Sequence, residues 1–281
     1  MPMPQIARLM AFACLLATGA VTVHSKSSLA GADRVEILVV GTSLEVRLAD
    51  DRKFTGDALI GAVLTITDSQ GRPLRVRIDG AERDPQDPNG ARWLYHLMAY
   101  DSTSGSWRNF CEAGPDGLRL GFPVSGTTTD DGSFSLSADR LVFTCTSGAV
   151  AKCIRMGYEP WATSDQGQPL LDHFRACMRM VRADYCGDGR PHTRDGTLVN
   201  IYDRLGIQIS EPAPDLTFEA AWGPDGAVCV RKTRIGEVST LDDLRASCPA
   251  RLSGRIGADC SEARAVSMPE ALIFNESRGA P

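Results

Sequence analysis

The residues from Asp184 to Gly196 gather the groups best able to do chemistry: Asp184, Tyr185, Asp188, His192 and Asp195, interspersed with Gly187, Gly189 and Gly196. One reading makes His192 a general base oriented by Asp188 or Asp195, as a hydrolase would arrange it. A second gives the carboxylates and loop carbonyls to calcium, which prefers clustered hard oxygens, although the spacing matches no established signature such as the EF-hand loop. A third needs no ligand. Asp and Gly suit a tight turn after a helix, Asp184 can accept backbone N–H groups, and Cys186 can fix the loop covalently. The third reading accounts for the same residues and is preferred, so no metal, cofactor or catalytic residue is assigned; ligand or metal binding ranks ahead of catalysis. His173 reads as an exposed or helix-edge residue, and His96 as structural with no acidic neighbour. The chain has no G-x-S-x-G elbow, no H-E-x-x-H and no phosphate-binding glycine pattern. Trp93, Trp107, Trp161 and Trp222 are candidates for a sugar-stacking platform, although tryptophan more often packs in a core.

Cysteine is the second conspicuous residue type. Of nine, Cys14 falls in the segment read below as a signal, leaving Cys111, Cys145, Cys153, Cys177, Cys186, Cys229, Cys248 and Cys260. An even number in an oxidising compartment predicts four disulfides. The absence of any C-x-x-C disfavours zinc and thioredoxin-like chemistry. A helix running on to Cys186 would hold it roughly 13 Å from Cys177, beyond disulfide reach. The pairs expected are Cys111 with Cys145, Cys153 with Cys177, Cys186 with Cys229, and Cys248 with Cys260.

A helix and a set of strands must position these groups. The helix starts near Pro169 and carries Leu170, Leu171, Phe174, Cys177, Met178 and Val181 on one stripe, with His173, Arg175, Arg179 and Arg182 opposite. Before it, strands are predicted at 35–40, 44–48, 59–67, 74–78, 92–100, 107–111 and 134–144, with a hairpin turning at Asp68-Ser69-Gln70-Gly71. A short helix is predicted over 147–156. Further strands follow at 197–202, 217–222 and 227–232, and Thr240 with Asp243 caps a helix to about Ser247.

The stretch Arg182-Ala183-Asp184-Tyr185-Cys186-Gly187-Asp188-Gly189 resembles the hallmark of the ADYC domain, a family of exported bacterial proteins. Ala149-Val150-Ala151-Lys152-Cys153, Gly157-Tyr158-Glu159-Pro160-Trp161, His192-Thr193-Arg194-Asp195-Gly196-Thr197 and Ala220-Ala221-Trp222 through Cys229 extend the resemblance over roughly residues 110 to 260. It implies export and a cysteine-braced fold, and it supplies no catalytic residues.

Composition agrees. With 281 residues, 43% hydrophobic and 23% charged, the chain can bury a core, which argues against disorder, coiled coil, collagen and a multi-span membrane protein. Residues 1–30 read as an export signal: Arg8 precedes an apolar run from Leu9 to Val23 too short to span a bilayer comfortably, and Ser28-Leu29-Ala30 suits cleavage before Gly31. Cleavage removes Arg8 and Lys26 and no acids, taking the net charge from -5 to -7; nucleic acid is therefore not expected as a partner.

The fold expected is α+β, mainly antiparallel β with a few short helices and disulfide bracing. It divides into a signal peptide (1–30), a β-rich domain (31–110), a cysteine-rich ADYC-like domain (111–262) and a tail (263–281). The function expected is that of a secreted or periplasmic protein without a membrane span after signal cleavage, binding an extracytoplasmic ligand or protein partner non-enzymatically. The alternative is a secreted hydrolase or metal-binding protein using the Asp184 to Asp195 loop.

Overall fold

Alternation of apolar and polar residues marks the stretch Leu74-Arg75-Val76-Arg77-Ile78-Asp79 as a strand with one buried face. The computed structural model describes residues 35–67, 71–129, 131–211 and 213–278; the signal segment and Asp68 to Gln70 of the hairpin turn lie outside them. Strands β1 (Glu36–Val40), β2 (Ser43–Arg47) and β3 (Lys53–Thr55) form one antiparallel sheet. Then come β4 (Val63–Thr67), β5 (Pro73–Arg83), β6 (Trp93–Asp101), β7 (Ser106–Asn109) and β8 (Gly121–Ser125). A two-stranded ribbon of β9 (Thr127–Thr128) and β10 (Phe134–Ser135) precedes β11 (Leu141–Cys145). The larger sheet runs β11-β8-β6-β5-β4, with β7 on β6. The β4–β5 hairpin forms as expected. The strand expected from Leu59 starts only at Val63, because Gly56–Leu59 is a 3-10 turn. The strand expected over 134–144 is broken by a turn at Ala138 and Asp139.

Helices α1 (Ala149–Arg155) and α2 (Leu171–Arg182) follow, then β12 (Val199–Asp203), β13 (Leu216–Gly223) and β14 (Gly226–Val230). Helices α3 (Leu241–Ser247), α4 (Pro249–Leu252) and α5 (Glu262–Val266) lead to β15 (Ile273–Arg278). Thr240 and Asp243 form the expected capping box on α3. The second sheet has the order β12-β15-β13-β14. Thus β15 comes from the segment read as a tail and lies inside a sheet, while β8 and β11 bring residues beyond 110 into the larger sheet. One core runs from Leu44 to Ile273, and a smaller cluster containing Phe218, Cys229, Cys260 and Phe274 lies apart from it.

A buried ion cluster joins the two parts. Arg155, at the end of α1, donates through Nε and Nη2 to Asp84 at 3.0 and 3.2 Å. Arg92 approaches the same carboxylate at 3.5 Å and donates to the Ile154 carbonyl at 3.0 Å. Asp84 is 2% exposed, so two guanidiniums compensate one desolvated carboxylate.

Of the α2 stripe Leu170, Phe174, Cys177 and Met178 are buried and Leu171 and Val181 partly so, but His173 and Arg179, expected on the opposite face, are each only 5% exposed. Helix α2 is flanked by α1 and by β13, β14 and β15, so its polar side also meets protein. The His173 ring stacks on Tyr158 at 6.4 Å between centroids. His96 does have an acidic neighbour, Glu82, at 3.6 Å.

Cys111–Cys145 and Cys153–Cys177 pair as expected, whereas the remaining four join as Cys186–Cys248 and Cys229–Cys260. Strand alternation explains the correction. In β14, Cys229 faces the smaller cluster, where Cys260 lies, while Cys186 and Cys248 pack against the main core on the other face of the sheet.

Peptide mapping without reductant should therefore find Cys186 with Cys248 and Cys229 with Cys260; a Cys186–Cys229 peptide would contradict the sheet's facing. Burial also holds the His173 imidazole below its ordinary value of 6.5. The unfolded chain takes up a proton that the folded chain resists, so this contribution is complete above about pH 6.5 and declines as pH falls toward the lower folded value. Urea midpoints between about pH 7.5 and about pH 5 should drop more steeply for the native chain than for His173→Gln. Equal slopes would assign the acid sensitivity to other groups.

Candidate functional site

Helix α2 ends because Ala183 adopts a left-handed conformation, φ 50° and ψ 42°. Its N–H donates to Met180 O and the Asp184 N–H to Arg179 O, both at 2.9 Å, satisfying carbonyls of the last turn. This reversal aims Asp184 back at the helix. Fully buried, Asp184 accepts from Arg179 Nη1 at 2.6 Å, from the Gly187 N–H at 2.9 Å and from the Gly189 N–H at 3.0 Å. Arg179 also donates to Asp131 O and Ser133 Oγ, each at 2.7 Å, tying the loop between β9 and β10 to the turn.

Two glycines are dictated by close approach. At Gly187, φ +74°, a Cβ would lie 1.7 Å from Asp225 O; at Gly189, φ +84°, it would lie 2.6 Å from the Asp131 backbone. The turn is wedged between the β9–β10 loop and the β13–β14 turn, with room for no side chain at either position.

Tyr185 enters a buried network. Its hydroxyl donates to Glu219 Oε1 at 3.0 Å and accepts from the Arg234 N–H at 2.8 Å. Burial, with the Glu219 carboxylate second, pushes this phenol well above its ordinary range, so it remains a donor. Arg234 grips Glu219 through Nε at 3.0 Å and Nη2 at 3.1 Å, and Nη2 also donates to Met180 O at 2.8 Å. Asn275 Nδ2 donates to Glu219 Oε2 at 2.9 Å, and Asn275 Oδ1 accepts from Trp222 Nε1 at 2.8 Å. The Trp222 ring stacks on Tyr185 at 5.2 Å.

Of the other residues singled out in the sequence, His192 packs its ring against that of Tyr185, 5.6 Å between centroids, while Asp188 and Asp195 stand apart. His192 Nδ1 lies 3.0 Å from Ala183 O, a carbonyl that can only accept, so Nδ1 carries the proton. Asp188 is exposed and accepts from the Arg190 N–H at 3.0 Å. The Asp195 side chain is 91% exposed and lies 3.9 Å from Lys152 Nζ. The structure thus brings Asp184 and Tyr185 into the interior and leaves His192 hydrogen-bonded to neither Asp188 nor Asp195. Among the described residues no three His, Cys, Asp or Glu converge where they could hold a metal ion.

Glu219, Arg234, Asn275 and Trp222 were not grouped by the sequence reading. Glu219 sits at a β-bulge where β13 slips a residue against β15 between Phe218 and Ala220, so simple alternation does not show where it points. The detectable signal was the acid itself, lone in the apolar run Phe218 to Trp222.

A family model described as the ADYC domain matches residues 56–236. It starts inside the β-rich portion and takes in every strand of the larger sheet. No curated protein and no solved structure matches the chain.

Removing Arg234's charge strands Glu219, so Arg234→Met should lower unfolding free energy by about 3–5 kcal/mol in urea titrations. Tyr185→Phe, which removes one hydroxyl from the network, should cost about 1–3 kcal/mol. Asp188→Asn should leave the midpoint unchanged. A larger loss from Asp188→Asn than from Arg234→Met would relocate the structural weight of the loop.

Proposed function

The chain belongs to the ADYC domain family, and from that premise we propose that it is an exported extracytoplasmic protein that binds a ligand or partner rather than catalysing a reaction. The observation that carries this reading is the use made of the signature: Asp184 and Tyr185 spend their hydrogen bonds inside the fold, and His192 turns its protonated nitrogen to a backbone carbonyl. The general base steered by Asp188 or Asp195 that the hydrolase reading calls for is not assembled among the described residues, since Asp188 accepts from the Arg190 N–H and Asp195 lies by Lys152. Export is supported by four disulfides, which persist in oxidising compartments, and by the apolar N-terminal segment ending in Ser28-Leu29-Ala30. Among the described residues no helix is long and apolar enough to cross a membrane.

Expression of the full chain in a bacterial host, followed by thiol alkylation and intact mass measurement of the extracytoplasmic fraction, should give an N-terminus near Gly31 and no alkylated cysteine. Retention in the cytoplasm with free thiols would overturn export. Hydrolysis of ester, glycoside or peptide substrates that disappears in His192→Ala would overturn the non-enzymatic reading.

A further inference from the structure

The four disulfides differ in how far solvent reaches them. Cys153, Cys177, Cys229 and Cys260 are 0% exposed, so two bridges are closed at both ends. In the third, Cys145 is partly buried but its partner Cys111 is only 1% exposed. An attack on Cys145 would expel Cys111 as a buried thiolate, a poor leaving group because burial in apolar surroundings raises a thiol's pKa. In the fourth bridge both Cys186 and Cys248 are partly exposed, so an incoming thiol can reach either sulfur and the displaced one keeps contact with water.

The two ends of that fourth bridge are anchored differently. Cys186 sits in a turn that holds its shape without the disulfide: Asp184 accepts from Arg179, Gly187 and Gly189, and Tyr185 donates to Glu219. Cys248 closes α3 and precedes α4, in a strap from Leu241 to Leu252 where Leu244 and Leu252 are the buried residues. Among the described residues the side-chain bonds of α3 are local, Asp243 with Thr240 and Arg245 with Asp242. Helix α3 packs on α4, and α4 on β14. The bridge is therefore the covalent tie that fastens a lightly held strap to a rigid turn.

We propose that Cys186–Cys248 is a redox latch: a dithiol reductant opens it in the folded protein, releasing α3 from the signature turn while the other three bridges persist. A thiolate of the reductant attacks one sulfur of the bridge, the S–S bond breaks, and the other cysteine leaves and takes up a proton. The second thiol of the reductant then resolves the mixed disulfide. Two electrons and two protons pass to the bridge, and the dithiol becomes a disulfide. The reduced state has a partner ready for one product, because Cys248 Sγ lies 3.5 Å from the Leu244 carbonyl within the same helix and the thiol can donate there. This device is independent of any ligand, so it and the binding reading fail separately.

The test starts from purified protein whose peptide map shows all four bridges. Graded dithiothreitol, acid quenching, alkylation and peptide mapping should label Cys186 and Cys248 together, at a reductant concentration about tenfold below that which labels any other cysteine. Hydrogen exchange on the same samples should show faster exchange over residues 241–252, with the Gly187 and Gly189 amides still protected. The Cys186→Ser/Cys248→Ser chain should fold and exchange rapidly over the same residues, with or without reductant. Loss of all four bridges together, earlier opening of Cys111–Cys145, opening that leaves exchange in α3 unchanged, or a double variant that does not fold would each overturn the proposal.

Discussion

A carboxylate and a guanidinium buried together, Glu219 and Arg234, set the terms on which the second half of the chain folds. Either charge alone in that interior would cost several kcal/mol, and together they are tolerable only because every remaining valence is met. Tyr185 and Asn275 donate to the carboxylate, while Arg234 spends further donors on the Met180 and Val181 carbonyls at the end of α2. The pair therefore ties the end of α2 and the turn after it to the core, and β15, beside β13, completes it with Asn275. A network this interdependent tolerates little partial occupancy, because a half-satisfied buried charge is worse than none.

The same logic recurs at Asp84, where Arg92 and Arg155 hold the larger sheet to α1. Two buried carboxylates are thus neutralised by arginine, Glu219 by Arg234 and Asp84 by Arg92 and by Arg155 from 71 positions away, and each pair ties a strand to a helix. The hallmark tetrapeptide Ala183-Asp184-Tyr185-Cys186 belongs to this framework: a left-handed reversal, a carboxylate that gathers a turn, a phenol in the charge network and a covalent tie. Its residues are committed to shape.

The sequence exposed the local features of this fold and concealed the long-range ones. The β4–β5 hairpin, α2, the capping box of α3 and the reading of Asp184 as a turn-former all rest on near-neighbour patterns, and residue spacing was enough to find them. Glu219 escaped because a bulge displaced it from simple alternation, and Asn275 because its partner lies 56 positions away. Helical periodicity puts Arg179 opposite the apolar stripe of α2, which shows the two faces but not whether a second layer covers both. Cys111 and Cys153 were paired correctly with near neighbours. For the remaining four, sequence distance competed with sheet facing, and facing decided.

The Cys186–Cys248 and Cys229–Cys260 bridges overlap along the chain, each enclosing one end of the other. Cys248 and Cys260 are nearer in sequence than either native pair, so a collapsing, unfolded chain meets that combination more often. Oxidation governed by encounter frequency thus tends to trap mispaired species, and these must be reshuffled through thiolate attack before β14 can present Cys229 to its partner. Maturation is accordingly a matter of isomerisation as much as of oxidation: the yield of native protein depends on how efficiently its surroundings exchange wrong disulfides for right ones.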